Sequence, residues 1–261
     1  MKVVFLCRDG AVARYIAHEL HADGFVDAIV VESGRDARRR KLRRAWTQTS
    51  WWKSPVFVLD LFALAIYGKL WSRFVARAMR AYPGRDAFPQ DMPVHRVHDA
   101  NDAECLSVLE GLSPNVLVVL GTSILQGPIL AIPRDLVLNI HGGIVPDYRN
   151  VHSDVWAVLR NDFANVGTSI LHLDEGIDSG AIALQDRVAG ARGFFELRWR
   201  NVELSGRLIR EALSMHTVGT LPRETQDESG VGFYPTPGVV ALLRLATNSF
   251  TSRGPRRQQA G

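Results

Sequence analysis

Asn139, His141 and Asp178 have the side-chain types that chemistry at a carbonyl requires, and each lies where a strand-like run gives way to a loop or within the loop that follows. An amide can donate hydrogen bonds to the negative charge that develops on a carbonyl oxygen under attack. An imidazole that titrates near neutrality can move a proton, and a carboxylate can orient and support that imidazole. Taken singly, each residue has an ordinary structural use. A histidine in a glycine-rich loop serves packing and loop hydrogen bonds, Asp178 suits the turn before Ser179-Gly180, and Asn139 can cap a loop. Together they fit direct acyl transfer to an incoming amine, which needs no nucleophilic side chain. Cys7 ends the first apolar run far in sequence from any base, and so reads as packing. The two cysteines, Cys7 and Cys105, show neither a CxxC nor a Cys/His spacing, which argues against a disulfide framework and a structural zinc. On this basis the chain is expected to be reduced and cytoplasmic, with the inner face of a membrane as a second location.

The elements that must position these residues follow from periodicity. Residues 2–7 (KVVFLC) form a short apolar β-rich run, too short for a signal peptide, and residues 12–20 carry apolar positions at helical spacing. Residues 25–32, 94–97, 115–120 and 136–140 read as further strands, with a helix over 101–110. The run 115–120 (NVLVVL) is uniformly apolar, as in the centre of a parallel sheet covered on both faces. A helix over 153–160, strands over 166–173 and 181–188 that can pair, and a long amphipathic helix over 194–215 complete the pattern. Strands alternating with helices at this spacing predict an α/β fold with a doubly wound, mostly parallel sheet, whose ligands sit beyond the carboxyl ends of the strands. The loops GTSIL (121–125) and NIHGGIVPDYRN (139–150) then face one crevice. Neither GxGxxG after the first strand nor GxxxxGK[ST] occurs, which disfavours dinucleotide and P-loop chemistry. The domain division expected is 1–216 for the α/β body, with a basic helical insertion at 34–90, and 217–261 for a C-terminal extension whose end reads as disordered.

With these blocks in hand, the sequence resembles the folate-dependent formyltransferases. The resemblance rests on NIHGGIVPDYRN (139–150), VWAVLRND (155–162) and VGTSILHLDEGIDSGAIALQ (166–185), in matching order and spacing. It implies N10-formyltetrahydrofolate as donor and no metal. It implies that the pterin is held around Ser123, Leu125, Leu173, Glu175 and Gly176, largely through backbone groups. Carried over by position, Asn139 would steady the formyl oxygen, His141 would shuttle a proton and Asp178 would position His141. Two departures concern the acceptor: members of the purine and initiator-tRNA branches usually have Ser where this chain has Gly143, and commonly Gly where it has Asn150. Three acceptors are usual in the family, namely glycinamide ribonucleotide, methionyl-tRNA and an amino sugar. Residues 217–261 are short for the C-terminal barrel of the tRNA branch, and a long basic insertion is foreign to the purine branch. The His-Gly-Gly loop and the helix at Trp156-Ala157 look more like relatives that act on amino sugars, nucleotide- or lipid-linked, for surface glycans. A donor hydrolase, which in the family carries an N-terminal regulatory domain, and a binding module without activity stand as alternatives.

Composition is ordinary for a globular chain: 261 residues, 46% hydrophobic and 22% charged, with a net charge of +4. The charge is unevenly placed. Residues 34–90 hold 13 Lys and Arg against Asp36, Asp60 and Asp86, a balance of +10 that leaves −6 for the rest. Seven of the ten residues 35–44 are basic, and Trp46, Trp51, Trp52 and Trp71 lie in the same segment. Residues 56–78 are apolar with Asp60, Lys69, Arg73 and Arg77 interspersed, a pattern too interrupted for a transmembrane helix. A solvated helical hairpin and an anionic partner are both compatible with it. For the partner, a membrane surface met through 35–80 and the pyrophosphate of an activated sugar rank ahead of nucleic acid, since no RNA-binding motif accompanies the charge.

Overall fold

The computed structural model describes residues 1–34, 55–174, 176–191 and 193–251. Its strands are β1 (Val3–Arg8), β2 (Ala28–Glu32), β3 (Val94–Val97), β4 (Val116–Leu120), β5 (Leu136–His141), β6 (Gly167–His172) and β7 (Ile182–Arg187). Its helices are α1 (Ala11–Ala22), α2 (Pro55–Ala78), α3 (Ala103–Leu112), α4 (Gly127–Leu130), α5 (Ser153–Leu159), α6 (Phe194–Thr217) and α7 (Val239–Thr251). One seven-stranded sheet runs in the order β3-β2-β1-β4-β5-β6-β7. The first five strands are parallel, and β6 and β7 are added antiparallel. The α/β expectation and the pairing of the last two strands are thus met.

Two-residue alternation explains the layers. Val3, Phe5, Cys7, Ile29, Val31, Val116 and Val118 turn to one face and pack under α1 and α6. Val4, Leu6, Ala28, Val30, Leu117 and Val119 turn to the other, under α3 and α4. Both faces being covered, the central strands must be apolar at every position, which is why β1 and β4 read as unbroken runs. Each such side chain, once buried, contributes about 1.5–3 kcal/mol.

The insertion is more deeply integrated than its charge predicts. Tyr67 and Val75 of α2 are buried, and Trp71 and Phe74 lie against Phe195 of α6 at ring separations of 6.0 and 5.9 Å. Arg198 of α6 is paired with Asp154 at 3.2 Å, donates to the Tyr67 hydroxyl and lies over the Trp71 ring. Burial opposes its charge, but Asp154 and Tyr67 more than offset this and push its pKa up. The run 35–44, with Trp46, Trp51 and Trp52, lies outside the described residues. So does the first arm of the expected hairpin, and so do residues 252–261.

The extension is also tied to the body. α7 packs on α2, with Asp60 Oδ1 accepting from the Val239 amide at 2.6 Å. Nearer the sheet, His172 Nε2 meets the Pro222 carbonyl at 2.8 Å. Burial lowers the pKa of His172 from 6.5, against the pull of that carbonyl. The unfolded chain therefore takes up a proton that the folded one refuses, so this group's contribution is full above about pH 6.5 and is lost as pH falls. The thermal midpoint should drop on acidification below that point, and His172→Gln should flatten that drop. Identical pH slopes for the two proteins would show that His172 does not supply it.

Candidate active site

β5 ends at His141, and its period of two sets Asn139 and His141 on the same face. Their cross-strand partners on β6 are Leu171 and Ser169. The loop from β6 to β7 returns Asp178 to the same point. Asp178 has φ 51°, a left-handed conformation that Asp tolerates. Two residues on, Gly180 lies so close to β6 that a Cβ would fall 1.8 Å from the His172 carbonyl oxygen. Here glycine is needed for close approach.

The three residues predicted from sequence are brought together. Asn139 Nδ2 donates to Asp178 Oδ1 at 3.2 Å, and His141 Nδ1 lies 3.3 Å from Asp178 Oδ2. Oδ2 also accepts from the Asn150 amide at 2.9 Å. On the far side of the ring, His141 Nε2 is 2.8 Å from the Tyr148 carbonyl oxygen, an acceptor only, so Nε2 carries a proton. With that proton fixed, Nδ1 and Oδ2 attract only when a second proton lies between them. A proton held between Nδ1 and Oδ2 would satisfy both atoms. The side chains of His141 and Asp178 are 8% and 13% exposed, so little water competes. Asn139 is oriented by the same network, since reversing its amide would oppose two oxygens. One N–H is used on Asp178.

Residues of low prominence in the sequence hold this arrangement. Gln226, in the extension and buried, donates through Nε2 to the carbonyls of Asp178 and Gly180 at 2.9 and 2.6 Å. Its Oε1 accepts from Arg149 Nε and Nη2 at 3.1 and 2.8 Å. Gln226 thus clamps the Asp178 turn to the loop after β5. The same loop is bound along its backbone by residue 232, through Gly232 N to Pro146 O at 3.0 Å and Arg149 N to Gly232 O at 2.8 Å. Tyr148, Tyr234 and Trp156 stack in series at 5.3 and 5.4 Å. Asn150 has φ 76° and donates from Nδ2 to the Tyr234 carbonyl at 2.9 Å. Asn is among the few residues that accept that backbone, which accounts for its presence where family members commonly have Gly. Ser153 Oγ lies 3.4 Å from His141 Nε2 and bonds the Tyr148 and Asn150 carbonyls.

Of the positions expected to hold a pterin, Ser123 has its amide and hydroxyl engaged by the buried Glu32 carboxylate at 3.0 and 2.6 Å, a carboxylate that also binds Arg8 at 2.8 Å. Its carbonyl accepts from Thr122 Oγ1 at 2.9 Å, so each polar group of Ser123 already has a partner. Leu125 is buried, and Leu173 packs against the same apolar cluster, so the two expected loops adjoin. Gly176 lies in a turn where Asp174 Oδ1 accepts from its amide and from Ser179 Oγ. Glu175 lies outside the described residues. Cys7 is buried and its thiol is pushed up to about 12, chiefly by burial and then by Asp9, against the pull of Arg96. This accords with packing. Among the described residues, no group of three His, Cys, Asp or Glu could hold a metal ion.

The formyl transferase family model matches residues 72–190, the stretch that contains Asn139, His141 and Asp178. The methionyl-tRNA formyltransferase of Methylacidiphilum infernorum is 32% identical over 148 residues, 56% of this chain and 46% of that protein. That of Clostridioides difficile is 27% identical over 152 residues, 57% and 49% of the two chains. The chain thus spans about half the length of the curated relatives it matches. Among solved structures, a sugar N-formyltransferase from a Shewanella species superposes with a TM-score of 0.57 at 13% identity, covering 94% of this chain and 87% of that one. Glycinamide ribonucleotide transformylase 1 from Symbiobacterium toebii does so with a TM-score of 0.54 at 17% identity, covering 87% and 93%. The resemblance to formyltransferases is borne out, and the fold is theirs.

Proposed function

We propose that this chain transfers the formyl group of N10-formyltetrahydrofolate to the amine of an amino sugar, nucleotide- or lipid-linked, in the making of a surface glycan. The observation that carries formyl transfer is the Asn139–Asp178–His141 network, in which an amide N–H and an imidazole nitrogen lie 3.2 and 3.3 Å from the two oxygens of one carboxylate. The donor supplies an activated formyl carbon. Leu125 and Leu173, which share one apolar cluster, would lie beside it. Asn139 stabilises the formyl oxygen as the acceptor nitrogen bonds to the formyl carbon. The proton shed by that nitrogen passes through the His141–Asp178 pair to the departing folate nitrogen, so the sum of charges is unchanged.

The amino-sugar reading draws support from likeness of fold to several sugar N-formyltransferases, two of them described with thymidine-nucleotide ligands and a formylated folate. Sequence similarity to methionyl-tRNA formyltransferases favours a second reading, with aminoacyl-tRNA as acceptor. Donor turnover measured against a panel of amino-sugar nucleotides, glycinamide ribonucleotide and methionyl-tRNA separates them. Deformylation of the donor is expected only when an amino sugar is present. Turnover with methionyl-tRNA alone would replace the acceptor, turnover without any amine would make the chain a hydrolase, and none with any acceptor would leave a binding module.

A further inference from the structure

The side of α2 that faces away from the body carries Leu59, Phe62, Ile66 and Leu70, which are 54, 65, 60 and 46% exposed. At 100° per residue these four fall within one stripe about 80° wide, and Lys69, Arg73 and Arg77 continue it toward the C-terminal end, each exposed. Arg80 follows in the next turn, also exposed. One helix face is thus apolar for about 16 Å and then cationic for about 10 Å. α7 begins against Asp60, and its exposed Val240 and Leu243, at 60 and 63%, lie at the apolar end of α2. Asp60, the one acid on α2, is occupied with that helix start. The opposite face of α2 supplies Tyr67, Trp71, Phe74 and Val75 to the body, and among the described residues nothing covers this stripe.

We propose that this α2–α7 face docks on an anionic lipid bilayer. An acyl interior accepts the apolar half, and headgroup phosphates accept Lys69, Arg73 and Arg77. Among the described residues no helix is long and apolar enough to cross a membrane, so docking is interfacial. A second copy is a poorer occupant. Packed parallel, it would set like charges together; packed antiparallel, it would press Arg73 and Arg77 onto Leu59 and Phe62, where the one acid of the helix, Asp60, is turned to the start of α7. The docking reading does not rest on formyl transfer, since binding is measured without donor or acceptor.

The experiment is co-sedimentation of the full chain with vesicles of phosphatidylcholine, alone or mixed with phosphatidylglycerol, at low and physiological salt. Binding is expected to the mixed vesicles and not to phosphatidylcholine alone. Phe62→Glu/Ile66→Glu and, separately, Arg73→Glu/Arg77→Glu should each weaken it by about tenfold or more, with thermal midpoints at the wild-type value. Residues 35–44 remain intact in both variants, so binding that survives the apolar pair unchanged would assign attraction to that basic run and overturn the proposal. Absence of binding to the mixed vesicles at low salt would overturn it as well. So would a wild-type dimer that the Phe62/Ile66 pair converts to monomer without any lipid binding.

Discussion

His141→Ala should lower the single-turnover rate of formyl transfer by about 10²–10⁴, the range that a positioned proton-transfer group contributes. Asp178→Asn should lose a comparable factor for a reason legible in its bonds. Oδ1 accepts from Asn139 and Oδ2 from the Asn150 amide, so an amide at 178 must turn its NH2 toward one of these donors. Either choice breaks a contact, and the proton between position 178 and His141 Nδ1 loses its charged partner. Asn139→Ala should cost about 10²–10³, as loss of an oxyanion donor does elsewhere. These side chains act on the transition state, so the donor's dissociation constant and the thermal midpoint should stay near wild type. A single-turnover rate for His141→Ala close to wild type would move the proton relay to another group. Loss of donor binding in step with rate would instead make the three residues part of the folate pocket.

Much of this arrangement was legible in the sequence because parallel sheets place function at strand ends. β1, β4 and β5 announce themselves as apolar runs, so the residues that end β5 were open to reading as site residues. Asp178 is legible only beside Asn139 and His141, since its place before Ser179-Gly180 reads on its own as an ordinary turn. The holding residues were not legible. Gln226 is 48 residues from the turn it clamps, in a polar stretch with no period, and only burial on both sides reveals its four bonds. Glu32 ends β2 as a carboxylate in an apolar strand, and its partner Ser123 lies 91 residues away. α7 follows a segment rich in proline and glycine, so its thirteen residues gave little warning of a helix. The insertion misleads for a different reason. Tyr67, Trp71, Phe74 and Val75 form a helical stripe, but Leu59, Phe62, Ile66 and Leu70 form another on the far side, so apolar residues surround the helix and no period points to the body.

Gly143→Ser should depress activity by about 10²-fold, the scale expected when a catalytic group is displaced by about an ångström. A Cβ at 143 would fall 2.5 Å from Ser153 Cβ, 2.7 Å from Ser153 Oγ and 2.6 Å from His141 Nε2. None of these distances is tolerable, so the imidazole must shift from the Tyr148 carbonyl that fixes its outer proton. By the resemblance, the purine and initiator-tRNA branches usually carry Ser at this position. In this chain Ser153 Oγ already occupies the imidazole's neighbourhood from the start of α5, 3.4 Å from Nε2. A hydroxyl on one side of the pair thus excludes one on the other. The double variant Gly143→Ser/Ser153→Gly removes two of the three collisions and should recover a large part of the lost rate. Ser153→Gly alone, which leaves the Tyr148 bond to Nε2 intact, should cost no more than a few fold. The coupling between the positions, read as the departure of the double variant from the sum of the single effects, should then be strongly favourable. Additive losses would show that Gly143 and Ser153 act on His141 independently, and an unaffected Gly143→Ser would show that the loop after β5 yields more readily than the ring.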